Sequence, residues 1–77
     1  KNASARALLS KAIQLKQEQK RLQDELSARR DQFANGNESG TVRSSILALE
    51  KETESIRREI AQLEVQARNE EIRTTYQ

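Results

Sequence analysis

The sequence predicts an all-α helical hairpin, an antiparallel two-stranded coiled coil. Three observations predict it. Apolar residues recur in alternating steps of four and three along two long stretches, the seam pattern of a coiled coil. The composition is that of a long-helix protein: Glu, Lys, Arg, Gln, Leu and Ala dominate, 34% of the 77 residues are charged, and proline is absent. The two periodic stretches are separated by one segment, FANGNESGTV at 33–42, which holds both glycines of the chain and breaks the register.

The first stretch reads Leu8, Ala12, Leu15, Gln19, Leu22, Leu26, Arg29, Phe33. It places d at 8, 15, 22 and 29, a at 5, 12, 19, 26 and 33, and helix 1 at about 3–34. Continued past Phe33, that phase would fall on Gly36, Gly40, Arg43 and Leu47, whereas the second stretch begins at Val42 and Ile46. The intervening residues carry stop and start signals. Asn35-Gly36 suits a left-handed helix end, and Ser39 or Thr41 suits the cap of the next helix. The connection is therefore expected at 35–40, a length usual between antiparallel neighbours. Helix 2 follows at about 41–75, with Val42, Ile46, Leu49, Thr53, Ile56, Ile60, Leu63 and Ala67 on its seam.

Folding the chain so that paired residue numbers sum to 75 joins every a to a d. The layers run Phe33–Val42, Arg29–Ile46, Leu26–Leu49, Leu22–Thr53, Gln19–Ile56, Leu15–Ile60, Ala12–Leu63 and Leu8–Ala67. The last two set small against large, so they fill without clash. Residues 1–34 carry eight basic and four acidic groups, and residues 35–77 six and eight, a charge difference that mildly favours the pairing. One flank resists the scheme. Antiparallel packing brings g positions together, so Glu18 and Glu25 are expected to meet Glu52 and Glu59. Such a flank is solvated, awaits a basic partner, or signals a wrong register.

The seam holds about eleven large apolar side chains, a small core for a free-standing pair of helices. That deficit points to completion by a second copy or by partner helices. The surface where they would dock is Leu9 and Ile13, at e and b of helix 1, with Ala61, Val65 and Ile72, at b, f and f of helix 2. All five share one flank toward the open end, whereas the opposite flank is polar. Gln19 and Arg29 are polar at seam positions. They are either tolerated there or fix register and partner choice at some cost in stability.

Catalytic chemistry finds no foothold. His and Cys are absent, so the common neutral-pH base, the thiol nucleophile and thiolate metal sites are missing. Gly36 and Gly40 lack the spacing of a phosphate loop, and Glu50, Glu52 and Glu54 point to different faces of a helix. No enzyme activity, cofactor or metal is expected. No stretch approaches the length of a membrane span. Lys20-Arg21 and Arg29-Arg30 hint at an anionic polymer or membrane surface, but Asp24, Glu25 and Asp31 interrupt them and no aromatic platform accompanies them.

The expected role is a non-catalytic interaction or assembly module acting by helix-face docking or oligomerisation. The alternatives are a coiled-coil finger for a globular regulator such as a small GTPase, and an electrostatic contact of helix 1 with nucleic acid or an anionic membrane. A chain that opens KNAS and carries no Cys reads as a piece of a larger intracellular protein.

Overall fold

The computed structural model describes residues 2–76. Two helices, α1 (Ala3–Ala34) and α2 (Gly40–Thr75), pack antiparallel along their whole length. The object measures 60 × 15 × 13 Å. Its radius of gyration, 17.4 Å, exceeds the roughly 11–12 Å of a compact domain of this length. It is a rod, and most of its surface is flank.

Every seam position expected on α1 from Ala5 to Phe33, and on α2 from Val42 to Ala67, is buried or half-buried. Ala5, Ala12, Leu22, Leu26, Val42, Leu49, Ile60, Leu63 and Ala67 form the core. Leu22, Leu26 and Leu49 make its densest cluster, with Ile46 and Ile56 packed against it. Two ion pairs cross between the helices, Lys16–Glu64 at 2.9 Å and Arg30–Glu50 at 2.7 Å. Lys16 stands four residues past Ala12 and Glu64 one past Leu63, and the same steps lead from Leu26 and Leu49 to Arg30 and Glu50. These contacts are the ones the expected layers require. The seam also runs one turn beyond the last expected layer: Ala5 is buried opposite half-buried Glu70.

The turn is built by backbone bonds. The Asn37 N–H donates to the Gln32 carbonyl at 3.0 Å and the Gly36 N–H to the Phe33 carbonyl at 3.1 Å. This pair is a Schellman motif, with Gly36 at the left-handed position, φ 99°. An L side chain there would be strained, which is why glycine occupies it. Ser39, rather than Thr41, caps α2. Its backbone is extended and its Oγ accepts from the Val42 N–H at 3.3 Å. Gly40 therefore already belongs to α2, and the connection is one residue shorter than expected.

The open end is tied by Asn2. Its Oδ1 accepts the Ala5 N–H and caps α1, while its Nδ2 donates to the Glu70 carbonyl at 3.0 Å and to the Thr74 hydroxyl at 2.8 Å. One side chain thus starts α1 and clasps it to the last turns of α2. Without this tie both termini would fray, since terminal turns carry backbone groups with no helical partner.

Candidate functional site

Of the large aliphatic side chains that the described residues leave exposed, Leu9, Ile13 and Leu47 stand at e and b positions on one flank of the rod, and Val65 and Ile72, at f, stand on the adjoining outer face of α2. Leu9 is 38% exposed, Ile13 56%, Val65 51% and Ile72 50%, with Leu47 the most open at 67%. The first four, with exposed Ala61, are the sequence-predicted docking residues. By helical position Leu9 and Ile13 border the groove between the helices, and Val65 and Ile72 stand one step farther round α2. The groove opens into a shallow hollow lined by Leu9, Glu64, Ala67, Arg68 and Glu71. A second shallow surface lies over Ala61, Gln62, Val65 and Gln66.

Sequence reasoning missed Leu47. It occupies the same wheel position as Ala61, two heptads earlier on α2, close to the turn. With Phe33, Arg43 and Ile46 it lines an almost wholly apolar hollow. The Arg43 guanidinium stands 5.6 Å from the centre of the Phe33 ring, a cation–π contact that partly covers the half-buried aromatic. This flank therefore has two apolar ends, one at the open end of the rod and one beside the turn. Lys16–Glu64, Arg30–Glu50 and the charges of Lys20, Lys51, Glu54 and Arg57 occupy the stretch between.

The opposite flank is not a bare acidic strip. Arg21 hydrogen-bonds Glu18 through two nitrogens and reaches Glu25 at 3.5 Å. Those bonds hold the Glu18 carboxyl below its ordinary range, and Glu18, Glu25 and Glu52 together raise the arginine. The expected meeting of four carboxylates is thus relieved from within α1. Arg21 sits at c, one step round the helix from the g positions, and its long stem carries the charge to them.

The other resolved shifts have the same character. Glu54 is lowered to about 2, first by its hydrogen bond to Arg57 and then by Arg58. Arg73 lowers Glu70 through a paired hydrogen bond. In every case a carboxylate moves down or an arginine moves up. Each of these shifts holds its group in the charged form. Among the described residues, no group of three or more acidic, His or Cys side chains is placed to hold a metal ion. No helix among them is long and apolar enough to cross a membrane.

The two polar seam residues differ in environment. Gln19 is half-buried and its amide atoms still reach solvent. Arg29 is half-buried and turns a guanidinium nitrogen to the Gln32 side-chain oxygen at 3.3 Å. The sealed, unpaired polar atom is a third one, the Thr53 hydroxyl, opposite Leu22. No protein-family model, curated protein or solved structure matches this chain.

Proposed function

We propose that the hairpin is a non-catalytic docking module whose working surface is the flank bearing Leu9, Ile13, Ala61, Val65 and Ile72. One observation carries the reading: the large aliphatic side chains left exposed stand on one flank and the adjoining outer face of α2, and none of them on the opposite, polar flank. Single exposed apolar residues are ordinary, whereas a one-sided set along a rod is the pattern of a helix face awaiting helices. The narrowness of the seam supports it. Three of the nine buried core residues are alanines, and Leu8, Leu15, Phe33, Ile46 and Ile56 keep part of their surface in water. Covering the flank with a second copy, as a four-helix bundle, or with partner helices removes its exposed aliphatic surface from water at ~25 cal/mol per Å².

Mass in solution against concentration tests the reading, together with Leu9→Asp combined with Ile13→Asp. Self-association that the double substitution abolishes, with helix content retained, supports a bundle. A wild-type chain that stays monomeric and gains no partner from helical peptides over this flank would remove the flank from the account.

A second reading, a coiled-coil finger for a globular regulator, draws on the apolar hollow of Phe33, Arg43, Ile46 and Leu47 beside the turn. A finger presents its tip side, so binding would depend on Leu47 and not on Leu9 and Ile13.

A further inference from the structure

The turn contains a dipeptide with chemistry of its own. Asn35 ends α1 and Gly36 follows it, both exposed. In any asparagine, the backbone nitrogen of the next residue is positioned to attack the side-chain Cγ and close a five-membered ring. A side chain on that next residue obstructs the approach. Gly36 has none, and nothing stands within 4 Å of where its Cβ would be, so no neighbouring side chain obstructs the approach either. No side-chain hydrogen bond among the described residues holds the Asn35 amide.

We propose that Asn35-Gly36 is a self-modification site at which the turn deamidates spontaneously and becomes anionic. Hydroxide removes the Gly36 N–H proton, and the nitrogen adds to Cγ of Asn35. The bond from Cγ to the side-chain nitrogen then breaks, and ammonia leaves with a proton from water. Water opens the resulting succinimide at one of its two carbonyls. The product is aspartate at position 35 or its isomer, in which the chain runs through the side-chain carbon. Water is the only co-reactant, hydroxide is regenerated, and no oxidation or reduction occurs.

The Schellman motif gates the reaction. At rest the Gly36 N–H is bonded to the Phe33 carbonyl at 3.1 Å, and the Asn35 ψ of 14° turns the nitrogen away from Cγ. Breaking that single bond and rotating ψ exposes the nucleophile. The other described asparagines are better protected. Asn2 has both ends of its amide engaged. Asn37 is followed by Glu38, whose side chain screens the nitrogen. Asn69 is followed by Glu70 inside α2, where the helix holds the N–H.

The new carboxylate would sit at the C-terminal end of α1, whose last turn holds no basic residue. The negative end of the helix dipole disfavours it there. The isomer adds a backbone atom, so the paired bonds of the motif no longer fit. The turn loosens while the seam and the Asn2 clasp are untouched.

The full chain, incubated at neutral and at mildly alkaline pH, tests this by anion exchange and by the mass of the tryptic peptide 31–43. The expected result is an acidic species, formed faster as hydroxide rises, with solvent oxygen incorporated at Asn35 before any other asparagine. Asn35→Gln should eliminate it with helix content unchanged. The proposal is overturned if Asn37 or Asn69 converts first. It is overturned equally if Asn35 of the folded chain stays intact while the free 31–43 peptide converts.

Discussion

Thr53 is a residue whose chemistry is at odds with its place. Its hydroxyl is sealed in the seam with no partner, although a helical threonine commonly bonds the carbonyl one turn back. A sealed unpaired polar group costs ~1–3 kcal/mol. Thr53→Val keeps the shape and the β-branching and removes the orphan. It is expected to stabilise the hairpin by about 1 kcal/mol, and a gain of that size raises the melting temperature of a domain this small by ~4–8 °C. A lower melting temperature would mean that the hydroxyl has a partner in solution. Gln19 is the contrasting residue. Its amide reaches water, so Gln19→Leu is expected to add burial opposite Ile56 and raise the melting temperature as well. A shift in assembly state in that variant alone would assign the amide to partner choice. The seam residues were legible because the 4-3 spacing names them whatever their neighbours. The orphaned hydroxyl was not, because the position of a side chain on a helix does not fix where its oxygen turns. Asn2 was hidden for a related reason. As a sequence feature it belongs to an Asn-Ala-Ser triplet, and its clasp to Glu70 and Thr74 exists only once the two ends of the chain meet.

At the scale of the helices, the register rests on the ion pairs Lys16–Glu64 and Arg30–Glu50 and on the cluster of Leu22, Leu26 and Leu49. Leu15 and Ile60 lie opposite each other in that register. Cysteines at both positions are expected to close an intramolecular disulfide under mild oxidation, since facing seam positions meet the Cα separation such a bond requires. Crosslinks found only between chains, at like positions, would demand a parallel dimer and contradict the turn. The turn itself was readable from Asn35-Gly36, which announces a left-handed helix end, and from the two candidate caps Ser39 and Thr41; that Gly40 already opens α2 was not. The choice of Ser39 over Thr41 was not readable, because both are good caps and the bonds across the turn decide between them. The relief of the acidic flank by Arg21 escaped a rule that pairs g only with g. An arginine one wheel step away is long enough to serve Glu18 and Glu25 together.

For the molecule as a whole, the docking proposal assigns the contact to one of the two apolar ends of the flank. All five predicted docking residues lie toward the open end, where Leu9, Ile13, Val65 and Ile72 supply the large aliphatic surface and Ala61 adds little area. Leu47 stands alone near the turn, and a lone residue is easily overlooked in a sequence because its apolar neighbours, Phe33 and Ile46, are assigned to the seam. Their burial is incomplete, so Leu47 and these two form one continuous apolar spot. Leu47→Asp separates the two architectures. Leu47 is too exposed for the substitution to disturb the seam, so helix content and melting temperature should change by no more than the ~0.5 kcal/mol typical of surface positions. If the open end is the interface, assembly measured by sedimentation should be unchanged in Leu47→Asp and lost in Leu9→Asp with Ile13→Asp. A bundle whose two rods run antiparallel would bring the open end of one against the turn of the other, and either substitution would then dissolve it. Loss of binding to a globular partner in Leu47→Asp, with self-association intact, would transfer the working surface to the tip and leave the open end as ordinary exposed side chains.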